Sequence, residues 1–254
     1  MKRLFLIIVI ACFAVQLSDA QLWKLRRWEA EFGIGPSLFF PDIGGYTTGK
    51  NLLGFKDLSY RQTRFDINGS LRYRLSRTLN ARLSLTYAML HATDTRGSNE
   101  GRVYEATTSL FEPAIMMEYY FIKNKYESSY LFIRGKSLWT MLSSLDFYAF
   151  AGVGGAGYSV KLNDALIERG IIELGSTADH GFTLVVPGGI GAKLIFNPNL
   201  NFGLELGGRW VNTDYLDGFD PNILPNKAKD KYYLLNFTVT YKLKTGPHGL
   251  PSFR

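Results

Sequence analysis

Three histidines, His91, His180 and His248, are the only imidazoles in this 254-residue chain. A hydrolytic site would need one of them as a base beside a nucleophile. His91 closes an alternating segment, His180 follows Asp179 in a polar connection, and His248 lies in the C-terminal tail. No His-x-Ser pairing or dense carboxylate–histidine set surrounds them, so no catalytic residue is assigned and the chain reads as a non-enzyme. Gly152-Val153-Gly154-Gly155-Ala156-Gly157 matches the dinucleotide fingerprint, but that motif needs a following helix whose N-terminus holds the pyrophosphate. Tyr158-Ser159-Val160 continues a strand instead, where glycines relieve crowding or permit bending. Asp214, Asp217 and Asp220, with Asp42 and Asp230 in reach, are weak Ca²⁺ candidates. They offer oxygen ligands, yet their spacing is not that of an EF-hand loop. No cofactor is expected.

A second set of charges repeats at every other position. In Arg64–Leu75, Phe65, Ile67, Leu71, Tyr73 and Leu75 oppose Arg64, Asp66, Asn68, Ser70, Arg72 and Arg74. Leu79–Met89 repeats the pattern, with Arg82 on the polar face, as do 200–210 with Glu205 and Arg209 and 233–243 with Lys242. Residues 28–39 set Glu29 and Glu31 against Trp28, Ala30, Phe32 and Ile34, and 109–121 set Glu112 and Glu118 against Phe111, Ile115, Met117 and Tyr119. Segments 147–160 and 182–196 are richer in glycine and less clearly two-faced. A period of two marks strands with one apolar face, and eight of them are counted. Each can supply the ~9–11 tilted residues that cross a bilayer.

The first twenty residues read as a secretory signal outside the fold. Lys2 and Arg3 precede an apolar run from Leu4 to Val15, and Ser18-Asp19-Ala20 supplies the small residues a signal peptidase needs. The mature domain is expected to span 21–254. Cys12, the only cysteine, sits in a run that loosely fits a lipoprotein box. Leu is missing at its −3 position and Phe13-Ala14-Val15 prolongs the apolar run, so cleavage after Ala20 is favoured. A mature chain without cysteine excludes disulfides and thiolate metal sites. Beyond the signal no apolar stretch approaches the 18 residues of a membrane helix.

Connections alternate in length. Ser76-Arg77-Thr78 and Asn197-Pro198-Asn199 are tight, whereas 41–60, 92–108, 160–182 and 211–230 are long and polar. Short periplasmic turns and long outer loops are the pattern of outer-membrane barrels. A soluble sandwich or lipocalin also alternates, but the signal, aromatic outer faces, even strand count and loop asymmetry favour the membrane. The expected fold is all-β: an eight-stranded antiparallel transmembrane β-barrel of the outer membrane, monomeric and lipid-embedded, with short periplasmic turns except for an insertion at 122–145.

Closure at eight strands leaves an interior only wide enough for side chains. It would receive Glu29, Glu31, Arg64, Asp66, Arg72, Arg82, Glu112, Glu118, Lys193, Glu205 and Arg209. Buried charges must pair, so a salt-bridged plug is expected in preference to a narrow ion path. The formal charge of +7 becomes +6 when Lys2, Arg3 and Asp19 leave with the signal. The four long loops hold eight basic and thirteen acidic residues, a balance of −5, so the remainder carries +11. This topology puts Lys24, Arg26, Arg27, Arg77, Lys123, Lys125, Arg134, Lys136, Lys242, Lys244 and Arg254 on the periplasmic side. Such a rim suits an acidic partner or anionic headgroups, and the compartment excludes nucleic acid.

Several stretches together resemble the PorG-like outer-membrane barrel family of Bacteroidetes, associated with the type IX secretion system. They are Trp28-Glu29-Ala30 leading to Pro41-Asp42-Ile43-Gly44, Asp146 to Gly155 after Lys136-Ser137-Leu138, and Asn212-Thr213-Asp214-Tyr215-Leu216-Asp217. The resemblance implies a structural barrel tying a periplasmic ring of a lipoprotein and its partner to the outer membrane. Lys123, Lys125, Arg134 and Lys136 of the insertion are then the docking candidates. The alternative is a small adhesion, surface-binding or porin-like barrel with no role in secretion.

Overall fold

A computed structural model describes residues 26–41, 43, 61–95, 101, 103–124, 144–168, 180–213, 215–218, 230–245 and 250–252. The signal segment and the cleavage site lie outside them. Eight long strands dominate: β1 (Trp28–Phe40), β2 (Arg64–Arg74), β3 (Leu79–Thr93), β4 (Glu105–Ile122), β5 (Leu145–Leu162), β6 (His180–Ile195), β7 (Leu200–Val211) and β8 (Lys231–Thr245). Each pairs antiparallel with the next, and β1 pairs with β8, so the sheet closes. Closure leaves no long strand with an unpaired edge, which in lipid would expose N–H and C=O groups with nothing to bond. A two-residue strand, β9 (Pro251–Ser252), adds to the lower end of β8. Among the described residues no helix is long and apolar enough to cross a membrane.

The alternation read from the sequence decides which face is which, and it is inverted relative to a water-soluble barrel. Phe32, Ile34, Leu83, Leu85, Phe111, Ile115, Val153, Leu184, Ile190, Leu204 and Phe237 all project outward and are exposed. Glu29, Glu31, Asp66, Arg72, Arg82, Glu112, Glu118, Glu205 and Arg209 project inward and are buried. Water would not solvate such an outer wall, whereas hydrocarbon does. The chain is therefore a transmembrane β-barrel.

Two lower connections use one device. At 75–78 the N–H groups of Leu75 and Ser76 both reach the Leu79 carbonyl, and Ser76 Oγ accepts from the N–H groups of Thr78 and Leu79. At 196–199 Phe196 and Asn197 donate to the Leu200 carbonyl, and Asn197 Oδ1 accepts from Asn199 and Leu200. Ser and Asn side chains satisfy backbone donors that a tight turn would leave bare.

The strands run further outward than the hydrophobic pattern suggests. β4 begins at Glu105, not at Ser109, and β5 continues to Leu162. Their outer ends carry Glu105, Thr107, Ser159 and Lys161 on the outward face, so hydropathy no longer marks the strand although the ladder continues. A short helix, α1 (164–168), follows, with Asn163 at its start accepting from the Leu166 N–H through both side chain and carbonyl. This is the usual N-cap role of asparagine.

Glycine admits aromatic rings on both sides of the wall. A Cβ on Gly191 would stand 2.3 Å from Cζ of Tyr148, whose ring crosses the inner face of β6. One on Gly155 would stand 2.4 Å from Cζ of Phe182, which covers β5 from outside.

Candidate functional site: the charged lumen and its rims

The centre of the lumen is built on Arg72 and Arg82, directly opposite each other on β2 and β3. Three glutamates from three other strands surround them. Arg72 Nη1 donates to Glu31 Oε2 on β1, and its Nε lies 2.6 Å from Glu118 Oε1 on β4. Arg82 grips Glu205 on β7 with Nη1 at 2.6 Å and Nη2 at 3.2 Å, the forked geometry that suits guanidinium and carboxylate. Arg82 Nε lies 3.1 Å from Glu118 Oε1, which thus serves both arginines.

Neutral donors complete the carboxylates. Thr240 Oγ1 donates to Glu31 at 2.7 Å, Tyr148 O–H to Glu205 at 2.8 Å and Asn80 to Glu118 at 3.3 Å. The guanidinium of Arg82 also lies 4.6 Å from the Phe150 ring centroid, a cation–π contact.

Two smaller groups flank this centre. Toward the periplasmic end, Glu29 meets Lys193 Nζ at 3.0 Å and Arg74 Nη2 at 3.3 Å. Toward the outer end, Arg209 Nε contacts both oxygens of Glu112 at 2.9 and 3.3 Å, and Tyr232 O–H donates to the same carboxylate at 2.5 Å. Asp66 shares the inward face of β2 and is fully buried, with the Asn236 side chain close to its carboxylate but outside good hydrogen-bond geometry. Arg64 is on that face too, but at the strand's outer end, where it is half-buried and donates to the carbonyls of Arg61 and Thr63.

Above the charges lies an apolar cap that the sequence did not announce. Phe39, Leu90, Leu110, Val160, Leu216 and Leu234 belong to it, with Leu166 of α1 and Ile43 packed in from the outer connections. Carboxylates fasten those connections down. Asp217 Oδ2 accepts from the Ile43 N–H at 3.2 Å, Asp230 Oδ2 accepts from the Leu216 N–H at 2.9 Å, and Thr108 Oγ1 donates to the Leu216 carbonyl. The structure thus gives Asp217 a backbone partner. Asp214 and Asp220 lie outside the described residues, and among those described no three His, Cys, Asp or Glu side chains gather to hold a metal.

Of the three histidines, His91 and His180 lie among the described residues and His248 does not. His91 Nδ1 is 2.9 Å from Thr107 Oγ1 and its Nε2 is 3.6 Å from Glu105. His180 is exposed at the start of β6.

At the lower rim, Lys123 places its ammonium 4.4 Å from the Tyr120 ring centroid, and the N–H of Asn124 donates to Asp146 at 2.7 Å. Arg26 caps the 196–199 turn through the Pro198 carbonyl at 2.8 Å, and Arg27 donates to Tyr73 O–H at 2.9 Å. Lys125, Arg134 and Lys136 lie outside the described residues. Lys242, expected on this rim, is buried in the lumen instead. It continues the inward alternation of Asn236, Thr238 and Thr240, so strand parity overrides the preference of a terminal lysine for water.

No family model and no curated protein matches the chain in sequence. Solved structures do match in outline. Neisserial surface protein A shares 13% identity over 85% of this chain and 96% of its own, with a TM-score of 0.47. OprG from Pseudomonas aeruginosa shares 11% over 85% and 97%, TM-score 0.43. OmpW from E. coli shares 13% over 85% and 98%, TM-score 0.38. At these values the likeness goes no further than the eight-stranded barrel already described.

Proposed function

We propose that this is an outer-membrane barrel that works as a structural anchor and not as a pore or an enzyme. The observation that carries this reading is the lumen itself, where Arg72 and Arg82 tie five strands together through Glu31, Glu118 and Glu205. Such a knot resists rearrangement, because removing one member leaves a buried charge unpaired. The functional surface is then at the ends. The lower end presents Arg26, Arg27, Arg77 and Lys123, a cationic rim suited to an acidic periplasmic partner.

The more specific role is attachment of a type IX secretion ring, a lipoprotein and its partner, from the periplasmic face. Support for it is the sequence resemblance together with the charge of the rim and the 122–145 connection. The test is affinity purification of the full chain from its own outer membrane. Ring components are expected to co-purify, and charge reversal at Lys123, Lys125, Arg134 and Lys136 is expected to release them. Unchanged co-purification and unchanged secretion would overturn the secretion role.

A further inference from the structure

The outward faces of β3 to β6 bring four residues to one height. Tyr87 pairs with Phe111, Phe111 with Gly157, and Gly157 with Phe182. Three are exposed aromatics, at 41, 52 and 71% for Tyr87, Phe111 and Phe182. The fourth has no side chain, and a Cβ there would meet nothing within 4 Å. Gly155 differs, because the Phe182 ring occupies the space its Cβ would need. Packing within the protein therefore accounts for Gly155 and leaves Gly157 unexplained.

The gap is a shallow depression of about 420 Å³, open to the outside, lined by Tyr87, Ser109, Phe111, Gly157, Ser159 and His180. Its lower boundary merges with the apolar belt. The next rows outward are polar: Ser109 pairs with Ser159 and Ser159 with His180, and Lys161 pairs with Thr107 one step further. Both Lys161 and His180 are exposed. Aromatic side chains at this level mark the boundary between acyl chains and headgroups.

We propose that this depression seats one lipid of the outer leaflet, its uppermost acyl segment against Gly157 beside Tyr87 and Phe111, and its anionic phosphate toward Lys161 and His180. The occupant is argued from the depression's continuity with the lipid-facing belt and from the cation above it. The inference rests on the membrane orientation proposed above. It adds a preferred lipid position to the wall.

The test is reconstitution of the full chain in nanodiscs of phosphatidylglycerol bearing a diazirine on an upper acyl carbon, followed by photolysis and peptide mapping. Adducts are expected several-fold more often on peptides carrying Tyr87 and Phe111 than on those carrying Ile34 and Phe237 of the opposite wall. Gly157→Leu should bring the Tyr87 and Phe111 peptides down to the opposite wall's level, and Lys161→Glu should lower them with phosphatidylglycerol more than with phosphatidylethanolamine. Even labelling around the barrel, labelling unchanged in both variants, or a cross-link to a second copy overturns the lipid position alone. Absence of adducts on every belt peptide overturns the membrane reading and the lipid position with it.

Discussion

Arg72 and Arg82 sit side by side on neighbouring strands, a like-charge pair inside the lumen that three glutamates convert into a knot. Both side chains are essentially inaccessible to water, at 0 and 1%. Alone, this pair of like charges would be destabilising. Glu118 lies close to both guanidinium groups, so the two arginines and their carboxylates act as one unit. Removing Arg72 should take the nearest cation from Glu31 and leave Arg82 alone to serve Glu31 at 3.7 Å and Glu118 at 3.1 Å. Arg72→Ala is expected to cost about 3–5 kcal/mol, the usual penalty for breaking a buried ion pair. Urea unfolding of the barrel in lipid vesicles measures it, and a loss below about 1 kcal/mol would show that water already screens the pair.

The bidentate Arg82–Glu205 contact should behave differently when both partners go. Truncating Glu205 alone leaves Arg82 with a distant Glu31 at 3.7 Å and the shared Glu118. Glu205→Ala with Arg82→Met removes charge and partner together. The double variant is expected to be more stable than the single Glu205→Ala, since uncompensated charge and not lost attraction dominates the penalty. A double-mutant cycle on unfolding free energies reads the coupling directly, and simple additivity would contradict it.

Much of this interior was legible in the sequence because a strand has only two faces. Once Phe65, Ile67 and Leu71 are assigned outward, Asp66, Arg72 and Arg74 have nowhere else to go. Which charges meet was not legible. Glu205 joins Arg82 across 123 residues of chain, and only closure of the barrel sets that distance. Tyr148 and Phe150 were also hidden, since β5 and β6 carry glycine on both faces and blur the period. Their places depend on neighbouring strands, where Gly189 and Gly191 make room. The apolar cap was obscured for another reason: its residues come from strand ends and loops whose composition is polar.

Gly191 tests how far the knot depends on that room. A valine there would overlap the Tyr148 ring and dislodge the hydroxyl that bonds Glu205. Gly191→Val is expected to cost about 1–3 kcal/mol, the range for overpacking a filled interior. Adding Tyr148→Ala should recover part of the loss by vacating the same space. A second substitution that only deepens the loss would show that the glycine serves the backbone instead of the ring.

Asp66 points to the opposite sign. Its carboxylate is fully buried and has no well-formed hydrogen bond, with the Asn236 side chain close to it, and leaving a buried polar group poorly satisfied costs about 1–3 kcal/mol. Asp66→Asn keeps the shape, removes the charge and supplies N–H donors for acceptors nearby, among them Asn236 Oδ1, which is also unsatisfied. The variant is expected to unfold at higher urea than the parent. A lower midpoint would mean that the carboxylate has a partner in the membrane-embedded protein and that its charge contributes to the fold.

The outer cap offers the last prediction, because carboxylate-to-backbone hydrogen bonds take part in its fastening. Asp217 holds the Ile43 N–H and Asp230 holds the Leu216 N–H, so these acids already spend lone pairs on neutral donors. Asp217→Ala should leave the Ile43 amide without its acceptor and loosen the connection that covers the cap. The barrel below is separated from that contact by the apolar layer and should keep its unfolding midpoint. Hydrogen exchange followed peptide by peptide distinguishes the two regions. Faster exchange at Ile43 and Leu216, with β2 to β4 unchanged at the level of Arg72 and Arg82, is the expected result. Millimolar Ca²⁺ should not slow exchange in the variant or the parent if Asp217 acts as a backbone clamp, whereas slowing in the parent alone would make it a metal ligand.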